Sequence, residues 1–117
     1  MAKKIMIIDD DPNIVTYLED IFQDAGYVTC KASDGAGALA VVKQEKPDLI
    51  TLDLEMPQEW GPRFYRELSQ EEEVAKIPVI VISGLSGNKY AIPKAVASFT
   101  KPFDRDELLK TVANAVG

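Results

Sequence analysis

The sequence predicts an α/β fold: five parallel strands in one sheet, covered by helices on both faces. Three observations carry that expectation. Short apolar runs alternate with amphipathic stretches along the whole chain. The apolar runs are nearly continuous, as strands buried on both faces require; a sheet with one wet face would alternate instead. Turn-forming pairs mark the boundaries, among them Asp11-Pro12, Pro47-Asp48 and Gly61-Pro62.

The elements follow in order. Lys4 to Ile8 (KIMII) reads as a buried strand. Asp11 supplies an N-cap with proline at the first helical position. Ile14, Val15, Leu18, Ile21 and Phe22 follow at helical spacing, and Gly26 ends that helix. Tyr27 to Cys30 reads as a second, weaker strand. Ser33 to Glu45 reads as a helix with Ala38, Leu39, Val41 and Val42 on its apolar side, broken by Pro47-Asp48. Leu49 to Leu52 (LITL) is the third strand and ends at Asp53. A loop with Met56-Pro57 and Gly61-Pro62 leads to a third helix near 63–70. Pro78 to Ile82 (PVIVI) is the fourth and most apolar strand. Gly84, Gly87 and Pro93 fall where a fourth helix belongs, so that helix is expected to be short or irregular. Val96 to Thr100 is the fifth strand. Asp104 to Val116 is the closing helix, with Asp104 and Glu107 as a variant capping box. Right-handed crossovers then favour a doubly wound, flavodoxin-like sheet of order 2-1-3-4-5. No repeat interrupts the pattern, and the 117 residues read as one domain, 1–117, without an output domain.

Apolar residues make up 46% of the chain, enough for a real core. The formal net charge is -6 and the pI about 4.6, which argues against nucleic acid as a direct ligand. Cys30 is the lone cysteine, so no internal disulfide can form. Histidine is absent, which argues against zinc and rules out a Ser-His-Asp triad or a histidine phosphocarrier role. Lys3 and Lys4 precede an apolar run too short for a signal peptide or membrane span. A reducing, cytoplasmic setting without a membrane is the default expectation.

In a doubly wound sheet, ligands bind beyond the carboxyl ends of the strands. Those ends carry Asp9 and Asp10 on strand one, Asp53 on strand three, Ser83 on strand four and Lys101-Pro102 on strand five. Carboxylates gathered at one place repel unless a positive charge sits among them. A hard dication with oxygen ligands, such as magnesium, meets that need. Lys101 adds a point charge and Ser83 a hydroxyl donor. The set suits phosphoryl transfer, with Asp53 as the nucleophile because its strand lies between those bearing the other groups.

Four segments carry a resemblance to response-regulator receiver domains: IMIIDDDP at 5–12, DLITLDLEMPQEWG at 48–61, PVIVISG at 78–84 and FTKPFD at 99–104. Each is weak alone; all four in order are specific. The resemblance implies phosphorylation of Asp53 by a partner histidine kinase or phosphotransfer protein, and signalling through contact with a downstream protein. It implies magnesium ligated by Asp10, Asp53 and the backbone carbonyl of Glu55, with Asp9 acting mainly through a metal-bound water. Ser83 and Lys101 would hold the phosphoryl group, and the Lys101–Pro102 bond would be cis.

Other readings stand beside it. Asp11 reads as a helix cap rather than a ligand. Asp9 and Asp10 alone would complement a helix dipole. Glu71 to Glu73 reads as a solvated run, Cys30 as a strand residue without a redox role, and Trp60 as either a partner contact or loop packing. Two departures from the family pattern affect the output face. Ser98 stands where receivers carry Tyr or Phe, with Phe99 on the opposite side of the strand. Ser83 and Lys101 are only 18 positions apart. A small DxD phosphatase using Asp9 and Asp11, and a phosphorylation-independent binding module, remain the competing functions.

Overall fold

The computed structural model describes residues 2–54, 60–84 and 95–116; the side chains of 35, 36, 60 and 61 lie outside that description. Its elements are β1 (Lys4–Ile8), α1 (Pro12–Asp24), β2 (Val28–Ala32), α2 (Gly35–Glu45), β3 (Leu49–Leu52), α3 (Trp60–Ser69), β4 (Val79–Ser83), β5 (Ala97–Thr100) and α4 (Arg105–Val116). The five strands form one parallel sheet in the order β2-β1-β3-β4-β5, as the sequence predicts.

Alternation along each strand sorts the core into two layers. Met6, Ile8, Ile50, Leu52, Val79 and Val81 face α2 and α3, where Ala38, Val42, Phe64 and Leu68 meet them. Ile5, Ile7, Leu49, Ile80 and Ile82 face α1 and α4, against Val15, Leu18, Phe22, Leu108 and Val112. The central strands are buried on both sides, which explains their unbroken apolar runs.

Local chemistry sets the boundaries. The Asp11 side chain accepts a hydrogen bond from the Asn13 N–H at 2.9 Å, and Pro12 opens α1. The helix ends in a double turn: Gly26 N–H donates to Gln23 O and Tyr27 N–H to Phe22 O, each at 3.0 Å. That turn needs a left-handed residue, and Gly26 supplies it at φ 94°. Three elements differ from expectation by two residues or more at one end. β2 runs on to Ala32 because its pairing with β1 continues through Ile8↔Ala32. α2 starts later than Ser33, because Asp34 caps it by accepting from Gly37 N–H at 2.8 Å. α3 starts earlier, at Trp60, so Pro62 lies in its first turn, where the missing N–H costs nothing. The helix expected to be short or irregular falls at 85–94, outside the described residues.

Candidate functional site

Register brings the site together. Ile8 pairs with Leu52, so Asp9 and Asp53 leave neighbouring strands at one level. Asp53 N–H donates to Ile8 O at 2.9 Å and fixes that level. Ser83 ends β4 opposite Thr100, and Lys101 N–H donates to Ser83 O at 2.8 Å. The sheet thereby delivers Asp9, Asp53, Ser83 and Lys101 to its carboxyl edge from four strands.

Asp9, Asp53 and Ser83 are buried, at 2–3% exposure, whereas Asp10 is exposed. Buried carboxylates without compensation are costly, and Lys101 supplies positive charge here. Lys101 Nζ lies 3.0 Å from Asp9 Oδ2 and 3.7 Å from Asp53 Oδ1. Asp9 Oδ1 also accepts from Asp11 N–H at 2.9 Å. One carboxylate oxygen from each of Asp9, Asp10 and Asp53 lies within 4.8 Å of the others. Three carboxylates against the Lys101 ammonium leave negative charge in excess. An all-oxygen set with one exposed side suits a hard divalent cation that keeps several waters. The carbonyl of Glu55, which the resemblance adds to the metal set, lies outside the described residues.

The neighbourhood sharpens other assignments. Asp11 caps α1, so the acid required by the DxD phosphatase reading is already engaged. The Lys101–Pro102 peptide is cis. Trp60 opens α3. Cys30 is half-buried against the α2–α3 layer.

Two features escaped sequence reasoning. A groove of about 660 Å³ opens beside Asp9 and Asp10, between Pro12, Val15 and Thr16 on one side and Lys31, Ser33 and Val41 on the other. Asp53 and Lys101 do not line it, so it flanks the acidic cluster. Its signal was the place of Asp9, Asp10 and Ser33 just beyond the ends of β1 and β2, where helices depart to opposite faces. The second is a ring contact between Tyr17 and Phe103, at 5.9 Å between centroids. No local pattern links residues so far apart in sequence.

The fold and the acidic edge define a class, and comparison with known proteins agrees. Residues 5–113 match the response regulator receiver domain, and the chain belongs to that family. It is 36% identical over 116 residues to protein Rrf1 of Nitratidesulfovibrio vulgaris, covering 99% of this chain and 84% of that protein. It is 32% identical over 116 residues to sporulation initiation phosphotransferase F of Bacillus subtilis, covering 96% and 92%. Among solved structures it superposes on the chemotaxis protein CheY4 of Vibrio cholerae with a TM-score of 0.87 at 27% identity, covering 98% and 99%. The chain is therefore a receiver domain of the two-component type, a signalling domain rather than a conventional enzyme. Among the described residues, no helix is long and apolar enough to cross a membrane.

Proposed function

We propose that Asp53 accepts a phosphoryl group from a phosphohistidine on a partner histidine kinase or phosphotransfer protein, in a magnesium-dependent relay. The observation that carries this reading is the meeting of Asp9, Asp10 and Asp53 at the carboxyl edge of the sheet, with the Lys101 ammonium beside Asp9 and Asp53. In the transfer, an Asp53 oxygen forms the new O–P bond as the donor's N–P bond breaks, and the bonding pair returns to the imidazole. The protein's part is positioning and charge neutralisation. Asp9, Asp10 and Asp53 would hold magnesium, which would supply positive charge against the carboxylates and the phosphoryl oxygens. Lys101 pairs with one phosphoryl oxygen as a point charge, and the Ser83 hydroxyl donates to another.

The name of the Bacillus subtilis relative includes phosphotransfer, which supports a relay role. The acidic net charge favours a protein partner over nucleic acid. In this reading residues 1–117 act as one cytoplasmic domain that signals by protein–protein contact.

Intact mass after incubation with acetyl phosphate tests the reading. The wild-type chain gains one phosphoryl mass with magnesium present and loses the gain when the metal is chelated. Asp53→Asn gains none while remaining folded. Equal uptake by that variant would remove Asp53 as the acceptor.

A further inference from the structure

The outward row of β5 carries Ser98 and Thr100, both exposed and neither large. The bulky side chains nearest Lys101 in the chain lie on the other side of the sheet. Phe99 packs into the layer shared by α1 and α4. Phe103, two residues beyond Lys101, is half-buried against that layer, and its ring leans on Tyr17 at 5.9 Å with the planes tilted 40°. Tyr17 is 48% exposed on α1.

Lys101 is the chemical link between this ring pair and Asp53. Its ammonium sits closer to Asp9 (3.0 Å) than to Asp53 (3.7 Å). A phosphoryl group on Asp53 brings added negative charge and strong acceptor oxygens. The ammonium then redistributes from Asp9 towards those oxygens. Ser83, whose hydroxyl is drawn to the same group, carries the Lys101 backbone on its own carbonyl at 2.8 Å. The pull therefore acts on a hydrogen-bonded unit of β4 and β5, and the turn over 101–104 passes it to Phe103.

We propose that the Tyr17–Phe103 contact reports the state of Asp53. Redistribution of Lys101 from Asp9 to the phosphoryl group shifts Phe103 against Tyr17, and the exposed face of α1 changes in place of the outward row of β5. The inference rests on Asp53 being the phosphoacceptor. By linkage the coupling runs both ways, so altering the ring pair alters how the site holds a phosphoryl mimic.

Fluorine NMR tests this on the full chain labelled with fluorotyrosine, using beryllofluoride and magnesium as the phosphoryl mimic. The Tyr17 resonance is assigned by its loss in Tyr17→Phe. Bound beryllofluoride gives its own signal, so occupancy at Asp53 is read in the same spectrum. The expected result is a new Tyr17 resonance, displaced by more than its linewidth, that grows with the bound-beryllofluoride signal. Phe103→Leu should bind the mimic and lose the displacement; Lys101→Met should bind it more weakly, and the displacement read against its bound-mimic signal should be lost. A Tyr17 resonance that stays in place while the mimic is bound would overturn the inference and leave the phosphoacceptor reading standing. An equal displacement in Lys101→Met would overturn it too, because the charge would then act without Lys101. Absence of a bound-mimic signal in the wild-type chain would overturn both readings.

Discussion

Thr51 is buried to 1% exposure in the middle of β3, and among the described residues its Oγ1 is the buried side-chain oxygen that lacks a hydrogen-bond partner. A buried hydroxyl left unpaired loses its hydration with nothing in return. Thr51→Val keeps the shape and removes the polar atom. The expected gain is about 1 kcal/mol, or about 3–6 °C in the unfolding midpoint for a domain of this size. Thermal unfolding checks it, and a lower midpoint would mean that the hydroxyl has a partner. In the sequence Thr51 is one residue of the apolar run LITL, and nothing there shows that its hydroxyl ends in a dry layer. Cys30, read from sequence as a strand residue without a redox role, lies in β2 and is half-buried. Burial pushes its thiol up to about 11, with Glu45 adding to the effect and Lys4 opposing it. A smaller thiolate population outweighs the greater nucleophilicity of a more basic thiolate. Alkylation of the folded chain by iodoacetamide near pH 8 should therefore be roughly tenfold slower than that of the unfolded chain. Rates that match would contradict the burial argument. The sign for stability follows as well. Below the unfolded value of 9.0 both states hold the proton, and between 9.0 and about 11 the folded chain holds more. Stability contributed by this group is thus complete below 9.0 and falls as pH rises through that window.

Elements were legible where a local signal fixes an end and less so where tertiary pairing does. The close of α1 was visible because Gly26 is the residue its terminal turn requires. The extension of β2 to Ala32 was not, because Lys31 and Ala32 owe their strand geometry to pairing with Ile7 and Ile8. Pro62 misled for a different reason: proline marks a break inside a helix but is tolerated in a first turn, and composition alone does not separate the two. The end of α2 shows the same limit. Pro47-Asp48 announces the break, yet the residue bearing the conformational cost is Lys46, held in the left-handed region at φ 46°, ψ 61° while its N–H donates to Val42 O at 2.8 Å. A side chain there meets the carbonyl crowding that glycine avoids. Lys46→Gly should therefore stabilise the chain by about 0.5–1 kcal/mol in urea unfolding, with an unchanged m-value. A loss of stability would show that the lysine stem contributes more than the backbone strain costs.

At the scale of the whole molecule, topology was the most legible feature, because continuous apolar strands separated by helices admit few handed arrangements. That topology also fixed which distant residues meet, so Asp9, Asp10, Asp53 and Lys101 could be grouped before any distance was known. The balance of charge within the group was not legible, since it depends on where one ammonium settles. It lies 3.0 Å from Asp9 and 3.7 Å from Asp53, within a cluster of three carboxylates. The folded chain therefore holds three carboxylates close together in a way the unfolded chain does not, and this repulsion opposes folding. A cation bound only by the folded state should offset it in proportion to the logarithm of its concentration. At ten times its dissociation constant, magnesium should stabilise the domain by about 1.4 kcal/mol and raise the midpoint by about 4–8 °C. Asp10→Asn is the informative variant, because Asp10 is the exposed member of the cluster and its loss disturbs no buried packing. Without metal it should melt higher than the wild type, since one repelling charge is gone. With magnesium its gain should be smaller, since one ligand is gone. Thermal melts of both proteins across a magnesium titration measure the two effects separately. Equal magnesium gains would remove Asp10 from the metal set, and a lower metal-free midpoint would show that repulsion within the cluster is not what the fold is working against.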